Sequence, residues 1–281
     1  MVLSLIYLPD DRRLVRSYNQ PFDEEVSLVK RREGHSGIYL LPNLLTTASL
    51  FAAFYSIVAS LKGQYESAVI AIFIGLITDG LDGRIARMTN TQSAFGAEYD
   101  SLSDMVTFGV APALLIYSWN LNHLGKLGWL VSFMYTAAVA LRLARFNTQL
   151  ETADKRYFQG IPCPPAATVI SSFVWLCYQN EWSERWVSIT TVCMAASLAV
   201  LMVSNVRYNS FKQVDFKGKV PFIYILLVVI LFVAIASNPA WVIFIAFSLY
   251  ASSGPLQTLF AIQRMRKKQR LIRKSRLERK K

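Results

Sequence analysis

The sequence predicts an all-α, polytopic membrane protein. Three observations carry that expectation. Of 281 residues, 53% are hydrophobic and the mean hydropathy is +0.33, more apolar than a soluble domain of this length. The apolar residues are gathered into runs long enough to cross a bilayer, which takes about 20 residues in a helix. The net charge of +12 sits mainly in flanks and loops, where topology and anionic headgroups account for it without nucleic acid.

Residues 1–37 are polar and mixed in charge, with Lys30, Arg31 and Arg32 leading into the first apolar run near Ile38. No basic leader with a short apolar core and a cleavage site precedes that run, so a retained helix is expected. Eight spans follow, at about 39–61, 66–88, 100–119, 127–147, 164–180, 185–205, 219–237 and 239–261. With the N-terminus inside, the inner segments carry Arg84, Arg87, Arg142, Arg145, Lys155, Arg156, Arg207, Lys212, Lys217 and Lys219. The outer loops hold little beyond Lys62, Lys126 and Arg185. This bias predicts cytoplasmic termini and an even number of spans. The tail, residues 263–281, is basic with Leu271, Ile272 and Leu277 interspersed. It reads as a helix on anionic lipid or a solvated anchor, and membrane attachment disfavours nucleic acid as its partner. Cys163, Cys177 and Cys193 form no CxxC pair, so no zinc or disulfide framework is expected. His35 and His123 carry no motif.

The chemistry concentrates between the second and third spans. The chain reads Asp79-Gly80-Leu81-Asp82-Gly83-Arg84-Ile85-Ala86-Arg87, then Gly96-Ala97-Glu98-Tyr99-Asp100-Ser101-Leu102-Ser103-Asp104. Asp79 and Asp82 are i, i+3, and Asp100 and Asp104 are i, i+4, so each pair shares a helix face. A turn between antiparallel helices would bring the faces together. Two carboxylates ~5 Å apart repel by roughly 3 kcal/mol at an effective dielectric of about 20. Such a cluster calls for cations: either the arginines of a salt-bridge cluster, or a metal. Arg84 and Arg87 lie further along the same helix, poorly placed to sit among all four acids. Gly80, Gly83 and Gly96 weaken helices but let a ligand or another helix approach the backbone. Carboxylates with close backbone access suit a hard cation such as Mg²⁺ or Mn²⁺.

These residues form the pattern D-x-x-D-G-x-x-A-R-x8-G-x3-D-x3-D, eight fixed positions over 26 residues. The pattern resembles the signature of the CDP-alcohol phosphotransferase family. The resemblance implies a six-helix core over residues 38–217, usually dimeric, with a polar cavity open to the cytoplasmic side. The pair of helices in 218–262 and the tail 263–281 lie outside that core. It further implies that Asp79, Asp82 and Asp100 hold two metal ions, with Asp104 also at the metals as general base. Gly83, Ala86, Arg87 and Gly96 would join Asp79 and Asp82 around CDP, and Asn43 resembles a polar residue near the nucleotide.

Three more segments resemble the serine-using bacterial branch of the family: Arg145-Phe146-Asn147, the loop Phe158-Gln159-Gly160-Ile161-Pro162-Cys163-Pro164-Pro165-Ala166-Ala167, and Ser204 to Lys212. They imply CDP-diacylglycerol as donor, L-serine as acceptor and the bacterial cytoplasmic membrane as location. Acceptor contacts are expected from Arg145, Asn147, Phe158, Gln159 and Gly160. Arg145 also reads as a snorkelling anchor, and the proline-rich loop as a turn into span five. A sister enzyme using glycerol phosphate, inositol phosphate or choline shares the motif. An ion-coupled transporter should show broken helices in two related halves, and the sequence shows one acidic cluster without an internal repeat.

Overall fold

The computed structural model describes residues 40–149, 157–182, 185–209 and 222–278. The N-terminal segment 1–37 and the loop lysines and arginines at 155, 156, 212, 217 and 219 lie outside the described residues. Among the described residues the chain forms long helices and one small ribbon. Helix α1 is Leu40–Leu61 and α2 is Tyr65–Met88. Helix α3 runs Ala94–Leu124, α4 is Lys126–Gln149, α5 is Cys163–Gln179 and α6 is Arg185–Val203. The last two are α7, Phe222–Ser237, and α8, Pro239–Glu278. The ribbon pairs β1, Tyr157–Gln159, antiparallel with β2, Arg207–Asn209, in the register Tyr157 to Asn209 and Gln159 to Arg207.

Among the described residues, five helices are long and apolar enough to cross a membrane: α1, α3, α4, α6 and α8. The protein is an all-α polytopic membrane protein. The three remaining expected spans differ for physical reasons. Helix α2 has the length but carries Glu66, Asp79, Asp82, Arg84 and Arg87. Helices α5 and α7 have 17 and 16 residues, short of the ~20 that fill the hydrocarbon core.

Small residues let the helices approach closely, as suits packing where lipid and protein are equally apolar. Ala53 and Ala59 of α1 and Ala68, Val69 and Ile72 of α2 are buried in one core cluster. These two helices form the most extensive pair in the bundle. Phe108, Leu115 and Ile116 of α3, Val139 of α4 and Ile170 of α5 complete the core. Phe51, Phe54, Leu61 and Phe133 point outward, which is the lipid-facing side of such a bundle. At the end far from the aspartates, Trp182 packs tilted against Trp186 and edge-on to Trp241, at 5.5 and 6.2 Å between ring centroids. Indole rings favour that membrane–water boundary.

The third helix departs most from expectation. It begins at Ala94, six residues before the predicted span, and is not α-helical throughout. After Asp104 comes a π-helical turn, Met105–Val110, and a second one at Tyr117–Leu121. The first turn rotates the apolar stretch relative to the aspartate face. Such turns recur beside functional sites. Helix α8 runs unbroken across residue 262 to Glu278, so the basic tail continues a membrane helix rather than starting a separate one.

Candidate active site

The α2–α3 hairpin builds the acidic site. Helix α2 ends at Met88, where the Thr89 hydroxyl donates to Ile85 O at 2.7 Å and lies 2.8 Å from the Thr91 hydroxyl. The Thr91 N–H reaches back to Ala86 O. Ser93 caps α3 by accepting from the Gly96 N–H at 3.0 Å, satisfying one of the free amides of a helix start. The chain thus reverses within a few residues and sets the two aspartate pairs face to face. Asp79, Asp82 and Asp100 offer carboxylate oxygens that all lie within 4.8 Å of one another. Asp104 stands one turn deeper, its carboxyl within hydrogen-bonding reach of Asp79.

Helix α1 supports the cluster from behind. The Thr46 hydroxyl donates to Asp82 Oδ2 at 2.6 Å and lies 3.1 Å from Pro42 O. Ser103, beside Asp104, donates to Thr46 O at 3.2 Å. The Thr47 and Tyr99 hydroxyls lie 2.9 Å apart. Deeper in, Ser49 donates to Gly75 O and meets the Thr107 hydroxyl at 3.3 Å. Asp82 is only 4% exposed, so the Thr46 bond answers part of the need of a buried charge. Thr46 escaped the sequence reading. Its only signal was a hydroxyl one turn after Pro42-Asn43.

The arrangement tests the two cation readings. Among the described residues, no ion pair joins Arg84 or Arg87 to the four aspartates. Asp100 Oδ1 and Asp104 Oδ1 are both buried without a hydrogen-bond partner. Orphaned carboxylate oxygens in an all-oxygen donor set are what a hard divalent cation would satisfy. The residues therefore fit a metal, and the salt-bridge cluster is not formed.

The other residues singled out in the sequence fall around this centre. A Cβ added to Gly80 would meet nothing within 4 Å, and one on Gly83 would meet only the Arg87 guanidinium at 3.9 Å. The α2 backbone is therefore open where the nucleotide was expected. A Cβ on Gly96 would come within 3.3 Å of Asn43 Oδ1, so Asn43 lies against the first turn of α3. Ala86 is half-buried on the last turn of α2. Asn147 of α4 donates to the Ser101 hydroxyl at 3.1 Å, directly beside Asp100.

Arg145, expected at the acceptor, has three partners within the chain. Its guanidinium donates to the Gln159 side chain, to Asn205 Oδ1 at 2.6 Å and to Val203 O at 3.3 Å. It ties the ribbon to the ends of α4 and α6, and its donors are largely used. Phe158 lies in β1 opposite Tyr208. Gly160 turns from the ribbon towards α5 at φ +75°, and a Cβ there would strike Met202 O at 2.3 Å. Only glycine fits that combination.

One turn earlier, Arg142 reaches inward. Its Nη1 donates to Cys163 Sγ at 3.4 Å, and its Nε is buried without a partner. Cys163 is fully buried at the start of α5 and lies within electrostatic range of Asp79 and Asp104. Arg142 is thus linked to the surroundings of the acidic centre by way of that thiol. The sequence offered it only as a topology charge.

Residues 39–203 match the CDP-alcohol phosphatidyltransferase family. Among curated proteins, a CDP-diacylglycerol–serine O-phosphatidyltransferase of Helicobacter pylori is 38% identical over 223 residues, covering 79% of this chain and 92% of its own. The enzyme of that name from Mycobacterium leprae is 30% identical over 237 residues, covering 82% and 76%. An archaetidylserine synthase of Methanothermobacter thermautotrophicus is 36% identical over 170 residues, covering 60% and 69%.

Proposed function

The chain belongs to the CDP-alcohol phosphatidyltransferase family, and from that membership we propose that it transfers the phosphatidyl group of CDP-diacylglycerol to the hydroxyl of L-serine, releasing CMP. The observation that carries the chemistry is the convergence of Asp79, Asp82 and Asp100, with Asp104 against Asp79. The choice of serine rests on the names of the relatives, two of them serine phosphatidyltransferases and one a synthase of a serine lipid.

Asp79, Asp82 and Asp100 would hold two Mg²⁺ or Mn²⁺ ions, with Asp104 alongside. When bound, such ions neutralise the diphosphate and stabilise the departing CMP. Asp104 takes the proton from the serine hydroxyl. The serine oxygen forms a bond to the phosphorus nearer the lipid, and the bond from that phosphorus to the CMP oxygen breaks. Thr46 keeps one oxygen of Asp82 turned to α1, leaving the other for the site. Asn43, Gly83, Ala86, Arg87 and Gly96 border the space for CDP. Arg142 supplies the cation for the serine carboxylate, because its Nε is unpartnered and a guanidinium pairs with a carboxylate in a fork. Arg145, Gln159 and Gly160 form the wall behind it, with Asn147 at the Ser101 edge.

The acyl chains of the donor stay in the bilayer, which suits a site at the end of the α2–α3 hairpin. The same reading places the site and both termini on the cytoplasmic side of a bacterial inner membrane, the enzyme as a homodimer, and the tail against anionic lipid. The test is direct. Purified protein in mixed micelles with CDP-diacylglycerol and Mn²⁺ is offered serine, glycerol 3-phosphate, inositol phosphate and choline in parallel. Phosphatidylserine and CMP should form in equal amounts. Faster turnover of any other alcohol would overturn the serine reading.

A further inference from the structure

The last helix carries two residues that a helix resists, side by side: Gly254 and Pro255. Proline at 255 has no N–H, so the carbonyl four residues back, Ala251 O, loses its helical donor. The structure supplies another. The Tyr208 hydroxyl, from β2, donates to Ala251 O at 2.8 Å. Tyr208 is fully buried, although it sits in a three-residue strand at the edge of the bundle. Its ring lies over Gly254, where an added Cβ would strike three ring carbons at 2.3–2.6 Å. Thus Gly254 admits the ring, Pro255 frees the carbonyl and the phenol takes it. Burial pushes the Tyr208 phenol up to about 12, so it remains a donor through neutral pH.

The lock connects α8 to the acceptor wall. Tyr208 pairs with Phe158, and the neighbouring pair is Gln159 with Arg207. Gln159 and Asn205 receive the Arg145 guanidinium, and the Gly160 N–H donates to Val206 O at 2.8 Å. On the other side, the ring of Tyr250 of α8 lies 5.6 Å from that of Tyr208, tilted by 45°, and within electrostatic range of Arg142. Helix α8 also packs along α5, whose first residue is Cys163. One face of α8 therefore touches both the ribbon and the surroundings of the inward arginine.

We propose that the C-terminal helix α8 is a positioning element for the acceptor side of the site, held in register by Tyr208 seated on Gly254 and bonded to the carbonyl that Pro255 frees. The proposal rests on the reading of this site as a phosphatidyltransferase, and not on which alcohol is the acceptor.

The experiment measures KM for CDP-diacylglycerol and for whichever alcohol the wild type uses, together with the melting temperature, in full-length protein. Tyr208→Phe keeps the ring and removes the hydroxyl. It should raise the acceptor KM about 2–10-fold, the range of one neutral hydrogen bond, with the CDP-lipid KM within about twofold. Gly254→Leu should do the same more strongly where it folds. In Tyr208→Phe/Pro255→Ala, the new N–H at 255 satisfies Ala251 O from within the helix. Thermal stability should then return while the acceptor KM stays high, because the tether to the ribbon is still missing. An unchanged acceptor KM in Tyr208→Phe would overturn the proposal. So would recovery of KM together with stability in the double variant, which marks a purely structural bond. A wild type that prefers another alcohol refutes the serine reading and leaves these comparisons intact with that alcohol.

Discussion

At the residue scale, the site is defined by which polar atoms have partners and which do not. Asp82 has Thr46, whereas Asp100 Oδ1 and Asp104 Oδ1 are orphans in a buried place. Asp104→Asn keeps the shape and removes the base. We expect transfer to fall by at least ~10²-fold, within the span of general-base contributions, with little change in melting temperature. A variant retaining more than about a tenth of the wild-type rate would assign the base elsewhere. The two arginines of α4 are expected to separate by the same logic. Arg142→Ala should lower serine kcat/KM by about 10–150-fold, since a charged hydrogen bond contributes about 1.5–3 kcal/mol. The CDP-lipid KM should hold. Arg145→Ala should be reproduced by Gln159→Ala with Asn205→Ala, because its donors serve those side chains. Serine kinetics that respond to Arg145→Ala alone would restore Arg145 to direct contact with the acceptor.

At the element scale, the spacing between α2 and α3 sets the spacing of the carboxylates. Gly75 of α2 faces Thr107 in the π-helical turn of α3, and a Cβ there would meet Thr107 Cγ2 at 2.8 Å. Gly75→Ala should therefore push the helices apart, destabilising the protein by about 1–3 kcal/mol and weakening metal-supported activity. Thr107→Ser removes that methyl and keeps the hydroxyl beside Ser49. The double variant should regain both stability and activity, which thermal melts and a metal titration can check. If Gly75→Ala is silent by itself, this contact does not set the spacing.

At the scale of the whole molecule, an acidic centre and a basic periphery divide the work. The four aspartates converge at one end of the bundle, and 30 lysines and arginines stand against 18 acids in the chain. Chelation with EDTA should abolish transfer, and Mn²⁺ or Mg²⁺ should restore it. Ca²⁺ should restore it poorly, because it is larger and prefers more ligands. Full activity in exhaustively chelated membranes would remove the metal from the reading. Replacing Lys267, Lys268, Arg270, Arg273, Lys274 and Arg276 by Gln should leave serine KM unchanged. The rate advantage of anionic over neutral vesicles should shrink, because each basic residue near such a surface contributes about 1 kcal/mol. Equal rates on both vesicle types for the wild type would leave the tail without that role.

The acidic motif and the membrane class were legible in the chain because both are local. Hydropathy over ~20 residues marks a span, and i, i+3 and i, i+4 spacing puts Asp79 with Asp82 and Asp100 with Asp104 whatever lies around them. The turn between them is short, so their meeting followed almost from the sequence. What depended on partners distant in the chain was not legible. Thr46 meets Asp82 across 36 positions, and Tyr208 meets Ala251 across 43. The ribbon of three-residue strands has no periodicity to display, and the π-helical turns of α3 have no signature in residue type. Arg142 and Arg145 read alike as charges at a helix end, three positions apart. They differ because packing aims one at Cys163 and the other at Gln159 and Asn205. Spacing along a helix fixes which residues share a face, but only the neighbouring helices decide what that face meets.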